Sequence, residues 1–149
     1  MRLTIHTDYA LRVMIYLALA PDRLATIREI SERYDISRNH LMKIVRELGL
    51  TGYVETVRGK RGGIRLGRAP ETIRVGDIVR DMEDNMNIVE CFNPDAPACQ
   101  ILPACVLKGA MVEALDAFMA VLDRYTLADL IKPDRDLAQL VHLDLRRVS

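Results

Sequence analysis

Three cysteines are the whole thiol complement of this 149-residue chain, and all three fall within the stretch CFNPDAPACQILPAC, at positions 91, 99 and 105. Seven residues separate Cys91 from Cys99, and five separate Cys99 from Cys105. An odd number of thiols cannot close a disulfide framework, and in a chain of this kind it points to metal or redox chemistry. Three protein ligands are one short of a tetrahedral metal site, so a fourth donor has to come from elsewhere. Zinc sites favour paired C-x-x-C knuckles, and the sequence has none. On spacing alone the thiols can be metal or cluster ligands, a bare thiol switch, or small buried apolar side chains. Their concentration between Pro94, Pro97 and Pro103 argues against simple core packing.

A second set of residues has a different chemistry. Residues 38–68 hold eight Lys or Arg and only two acidic residues, whereas residues 69–149 hold eight basic and fourteen acidic ones, so a zero net charge hides a strong segregation. A basic block that dense is the electrostatic footprint expected for a polyanion such as nucleic acid. Within it, Arg38, Asn39, His40, Lys43 and Arg46 follow Ser37 on one stretch, and Arg58, Lys60 and Arg61 cluster in RGKRGG. Arg and Lys can contact guanine or phosphate, and Asn can pair with adenine.

The elements that must position these groups follow from pattern. Thr7 and the apolar residues of DYALRVMIYLALA predict a first helix capped at Thr7 and ended by Pro21. Thr26, with Glu29 three residues on, is a capping-box signature opening a second helix. Ser37 caps a third, with Leu41, Ile44, Val45 and Leu48 facing inward and Gly49 or Gly52 as the stop. Two short helices in tandem, the second basic, read as a helix-turn-helix. YVETV and IRLG then form two strands about the RGKRGG turn, a hairpin whose basic tip can lie on the sugar-phosphate backbone. No GxxxxGK[ST] pattern is present, so the GK pair is not a nucleotide-binding loop.

TIRVGDIVRDME predicts a further short helix, followed by an irregular region from about residue 85 to 103. From Cys105 to Tyr125, Leu107, Met111, Ala114, Phe118, Leu122 and Tyr125 form one apolar stripe about 30 Å long. The winged domain is expected to offer that stripe little surface, which predicts packing against a second copy of the chain. Thr126 and Asp129 make a second capping box. The three histidines, His6, His40 and His142, are scattered, and no H-E-x-x-H or nucleophile elbow occurs, so the chain does not read as an enzyme. The N-terminal stretch is broken by Asp8 and Arg12 and lacks a signal-peptide pattern; it reads as an amphipathic helix of a cytoplasmic protein, with no membrane partner.

Taken together, MRLT and TDYALR at the start, SRNHLMKIV, the GYV and VRGKRGGIRLG of the hairpin, the cysteines ending in PAC, and YTLADL resemble the iron–sulfur winged-helix transcriptional repressors over residues 1–131. Their nitric-oxide-sensing branch is the most similar. The resemblance implies a homodimer on palindromic double-stranded operator DNA, with Ser37, Arg38, Asn39, His40, Lys43, Arg58, Lys60 and Arg61 at the DNA. It further implies an iron–sulfur cluster held by Cys91, Cys99 and Cys105, since thiolates are the preferred ligands of such clusters. In that branch the fourth ligand is a first-helix carboxylate from the other subunit, which matches Asp8, with His6 and Glu90 as further donors in reach of the same role; it favours [4Fe–4S] over [2Fe–2S], with nitric oxide as the signal. A sibling regulator ligates through a His three residues after its last cysteine, where this chain has Lys108. The alternative implied is a regulator of that sibling kind, sensing redox state or cluster supply through a [2Fe–2S] centre. The expected fold is mainly α with a small β-hairpin wing. It divides into a winged helix-turn-helix domain at 1–83, a cluster loop at 84–104, a dimerisation helix with a short following helix at 105–132, and a tail at 133–149 without assigned structure.

Overall fold

A computed structural model describes residues 2–141. The helices are α1 (Ile5–Ala18), α2 (Ile27–Tyr34), α3 (Arg38–Leu50), α4 (Val75–Met82), α5 (Val106–Asp123), α6 (Leu127–Leu130) and α7 (Asp134–Leu140). Strands β1 (Val54–Val57) and β2 (Gly63–Leu66) pair antiparallel, with Val54 opposite Leu66 and Val57 opposite Gly63. The mainly helical fold with a hairpin wing is therefore the one expected.

Helix α1 is the central element, packed by α3, α4, α6 and β2. Ala10, Val13, Met14, Tyr16, Leu17 and Ala18 are all buried, a wider apolar face than a one-sided helix shows. Its cap is Thr4, which corrects the expectation of Thr7. Thr4 Oγ1 accepts from the Thr7 amide at 3.2 Å, and Thr7 lies fully buried inside the first turn. The choice is made from a distance: Glu83, just after α4, accepts from both the Thr4 amide (2.7 Å) and Thr4 Oγ1 (3.0 Å).

The second cap forms as read, with Thr26 Oγ1 accepting from the Glu29 amide at 3.1 Å. The Glu29 carboxylate, however, turns to Arg23 and to the Tyr16 hydroxyl, which donates to it at 2.5 Å. Burial pushes the Glu29 carboxyl up, but the bonds from Arg23 and Tyr16 outweigh it and hold the group below the ordinary carboxylate range. Asp35 ends α2 in the left-handed region at φ 53°, a conformation that Asp tolerates better than most residues. Ser31 ties the turn by donating from Oγ to the Ile36 carbonyl at 2.6 Å. Helix α3 then buries Leu41, Ile44, Val45 and Leu48, the four residues its periodicity assigns to the core.

The wing is anchored by a bridge that no local pattern announces. Ala25, in the loop before α2, exchanges backbone hydrogen bonds with Ile64 at 2.9 and 2.7 Å. Gly63 is required at that junction, because a Cβ there would sit 2.5 Å from the Ala25 carbonyl oxygen.

Two expectations for the C-terminal half are corrected. Helix α5 was expected to find little surface on the winged domain, yet α4 packs against it. Arg80 grips Asp123 with two bonds, at 2.8 and 2.6 Å, and Gly76 permits the approach, since a Cβ there would lie 1.9 Å from Asp123 Oδ1. The apolar stripe also divides: Met119 is buried and Met111, Leu115, Phe118 and Leu122 are half-buried, while Leu107, Ala114 and Tyr125 face outward. The tail assigned no structure begins with α7, whose Ala138 is buried on the core; the rest of that tail, residues 142–149, lies outside the described residues.

The capping box at Thr126 forms in both directions. Asp129 accepts from Lys132 and from the Thr126 amide and hydroxyl, which together bring its carboxyl down to about 2. The adjoining backbone joins α5 to the winged domain: Leu127 N donates to the Ile73 carbonyl at 2.8 Å and Val75 N to the Tyr125 carbonyl at 2.9 Å.

Candidate nucleic-acid interface and cysteine segment

Helix α3 presents its polar side to solvent because its apolar residues, three and four apart, are consumed by the core. Ser37 Oγ accepts from the His40 amide at 3.1 Å and so fixes where the helix begins. Arg38, Asn39, Lys43 and Arg46 are exposed, and Met42, not among the expected contacts, is half-exposed beside them. Arg38 lies 3.8 Å from Glu32, a weak surface pairing. His40 departs from the outward face expected of it. Its ring stacks on His6 (5.7 Å between centroids) and meets the edge of Tyr9 (5.1 Å), both on α1.

Arg58, Lys60 and Arg61 crown the wing, all exposed. Among the described residues, these three and Lys43 and Arg46 have no carboxylate partner within ion-pair distance. The other cations of the basic block are tied down. Arg65 pairs with Glu55 across the hairpin at 3.0 Å. Arg68 stacks over the Tyr53 ring at 4.4 Å and donates to the Gly52 and Thr51 carbonyls at the end of α3. Tyr53 in turn donates to Asp81 at 2.6 Å, and burial together with that bond raises its phenol well above the ordinary range. The hairpin is thus fastened to α3 and α4 on its inner side, leaving five uncompensated cations on the outer side. A helix with a free basic face beside a basic loop is suited to a major groove and its flanking phosphates.

The cysteine segment is built differently. From residue 83 to residue 118 no side chain is fully buried, and the only regular structure before α5 is two single turns of 3-10 helix, Glu90–Phe92 and Leu102–Ala104. Cys91 and Cys105 are half-buried, Cys99 is exposed, and all three are free thiols. Cys105 is the N-cap residue of α5. Ile101, Val106 and Leu107 around it are exposed and line an open apolar groove of about 550 Å³ with Cys105 itself.

Asp8 stands on the first turn of α1 and pairs with Arg12 at 2.8 Å, both side chains about half exposed. His6 is committed elsewhere, to Glu47 of α3 at 2.5 Å. Glu90 is exposed on the same 3-10 turn as Cys91. Within a single chain, among the described residues, no three His, Cys, Asp or Glu side chains are gathered closely enough to hold a metal ion. The donor set nevertheless suits an iron–sulfur cluster in kind: three unpaired soft thiols on a short segment, and one accessible carboxylate on another element.

A tandem helix pair with a basic recognition face beside a braced basic wing defines a winged-helix DNA-binding regulator. The chain belongs to the Rrf2 family, the iron-dependent transcriptional regulators, whose family model matches residues 3–133. It is 53% identical over 144 residues to the HTH-type transcriptional regulator NsrR of Bacillus subtilis (strain 168), covering 96% of this chain and 99% of that protein. It is 49% identical over 142 residues to the NsrR of Bacillus licheniformis, covering 95% and 99%. Among solved structures it is similar to CymR (YrzC), the global cysteine regulator of B. subtilis, with a TM-score of 0.71 and 30% identity over 87% of this chain and 95% of that one. It is also similar to IscR of T. potens, with a TM-score of 0.72 and 28% identity over 89% and 88%. These relatives are regulators of transcription rather than enzymes, as the sequence leads one to expect. No helix among the described residues is long and apolar enough to cross a membrane.

Proposed function

We propose that this chain is a cytoplasmic, homodimeric repressor whose operator binding is controlled by an iron–sulfur cluster that responds to nitric oxide. The observation that carries the proposal is the placement of all three free thiols on one sparsely packed segment joining the DNA-binding half to α5, in a chain about half identical to regulators named NsrR. Cys91, Cys99 and Cys105 of one protomer would hold the cluster, and Asp8 of the other would complete the set. When bound, the cluster supplies iron sites at which nitric oxide can displace a weak oxygen ligand more readily than a thiolate.

The protein's part is to make that ligand matter. Asp8 belongs to the turn whose cap, Thr4, is held by Glu83 immediately before the cysteine segment. Asp8 also has Arg12 as a second partner, so release from iron need not leave a bare carboxylate. A change at Asp8 is therefore delivered to the element against which α3 packs. The recognition helices of a dimer must sit about 34–36 Å apart to enter successive major grooves, so a small shift of α1 weakens both half-sites together. The outward residues of α5, notably Leu107 and Val121, with Tyr125 just past its end, offer the surface for the second copy.

Anaerobic purification with iron and sulfide quantitation tests the ligand set. About four iron per chain supports the [4Fe–4S] reading, and about two per chain moves the assignment to a [2Fe–2S] sensor of redox state or cluster supply. Retention of a full cluster by Asp8→Ala, with its signal response intact, would remove Asp8 from the ligand set.

A further inference from the structure

The contacts between the first turns of α1 and the recognition helix are more elaborate than packing needs. His6 Nε2 lies 2.5 Å from Glu47 Oε2, at the edge of α3 between its buried face and its outward basic face. The His6 ring stacks on His40 at 5.7 Å with 29° between planes, and the Tyr9 ring meets His40 edge-on at 5.1 Å. Tyr9 also lies under the Arg12 guanidinium, 5.5 Å from the ring centroid. On α3, at 100° per residue, His40 and Glu47 fall within about 20° of each other, while Asn39, Lys43 and Arg46 occupy the adjoining outward face. His6 and Tyr9 therefore hold α3 at two points nearly two turns apart along one edge, which opposes tilting of α3 against α1 and adds to the rotation already set by its buried Leu41, Ile44, Val45 and Leu48.

We infer that His6 and Tyr9 of α1, acting through Glu47 and His40 of α3, are positioning residues that set the angle of the recognition helix and hence the discrimination between operator and unrelated DNA. His40 belongs to this seat rather than to the base-reading face. Base-edge hydrogen bonds tolerate little misplacement, whereas phosphate contacts from Lys43, Arg46 and the wing survive a small rotation, so loss of the seat lowers specificity before it lowers affinity. The seat also flanks Asp8, with His6 two residues before it and Tyr9 next to it. Resting on the reading of Asp8 as a cluster ligand, the same contacts carry the state of that residue to the DNA.

The test uses the full chain, a duplex selected by the wild-type protein from a random-sequence pool, and an unrelated duplex of equal length. Binding is measured in whichever of the cluster-loaded and cluster-free forms binds the selected duplex more tightly. His6→Ala and Glu47→Ala are each expected to lower the ratio of selected to unrelated affinity at least tenfold, with the salt dependence unchanged. Glu47→Ala is the decisive variant: it removes the acceptor and also a negative charge from an exposed site, so affinity for the unrelated duplex should rise slightly while the ratio falls. Tyr9→Phe keeps the ring contact and is expected to retain the wild-type ratio. Unchanged ratios in His6→Ala and Glu47→Ala would overturn the inference, as would a parallel fall on both duplexes. The link to Asp8 is read separately, as the wild-type affinity difference between the two forms. If the wild type shows no such difference, the cluster reading fails, while the specificity ratios still decide the role of the seat.

Discussion

The winged-helix half and the cysteine segment are adjacent in the chain and opposite in construction. Up to Met82 every α-helix and strand contributes buried side chains, and polar ties such as Glu83 to Thr4, Arg68 to the end of α3 and Ser31 to Ile36 close the turns between them. Beyond it, 36 residues pass without one fully buried side chain, although Ile88, Val89, Phe92, Ile101, Leu102, Val106 and Leu107 are all apolar. The first half is held by its own core. The second leaves its apolar and thiol groups exposed or half-buried, where the proposed cluster and second copy would engage them. A sensor of the proposed kind would benefit from that division, because a signal could reorganise the segment without unfolding the winged-helix half.

Three substitutions sharpen the comparison, from the largest effect to the smallest. Leu48→Ala removes a fully buried side chain from the winged-helix core and should cost about 2–5 kcal/mol in thermal or urea unfolding. Gly63→Ala forces a Cβ onto the Ala25 carbonyl, and about 1–3 kcal/mol is expected from the resulting strain. Cys99→Ser, at an exposed site in the second region, should change the unfolding free energy of cluster-free protein by no more than about 0.5 kcal/mol. A large loss from Cys99→Ser in cluster-free protein would mean that the segment is structured by the chain itself, and the contrast would fail.

The DNA face gives a further test. Lys60→Ala and Arg61→Ala at the wing tip should each weaken binding on all duplexes alike and reduce the slope of log affinity against log salt by about one. A sequence-dependent loss would instead place the tip at the bases. Acid sensitivity is the smallest effect. Asp129 has a folded carboxyl depressed to about 2 against an ordinary value of 3.8, and Glu29 is depressed as well. Groups depressed in the folded state stabilise it above their unfolded values and lose that contribution as pH falls through the folded ones. Stability of cluster-free protein should therefore decline from about pH 4 towards pH 2, and Asp129→Asn should flatten that decline.

Much of the winged-helix half is legible in the sequence, because its signals are local. Leu41, Ile44, Val45 and Leu48 reveal their face through spacing alone, Ser37 marks the start of α3 by its hydroxyl, and Thr126 with Asp129 spells its own cap. What escapes sequence reading depends on partners far along the chain. Thr4 prevails over Thr7 because Glu83, 79 positions away, bonds to it. The wing is fixed by Ala25 and α5 by Arg80, neither of which carries a signature. The packing of the His40 ring on His6 and Tyr9 of α1 likewise has no local signal. The cysteines are conspicuous in the sequence, but a ligand set of the kind proposed, spanning two chains, would have no spacing to read.

Cluster control of DNA binding is the central claim, and the most direct measurement is a mobility shift of anaerobically purified, cluster-loaded protein on a duplex it selects, before and after nitric oxide is added. The account predicts a retarded complex that is lost on exposure to nitric oxide, with the Cys99→Ser variant unresponsive. Retardation that persists unchanged through nitrosylation, in protein whose iron and sulfide have been verified, would contradict it.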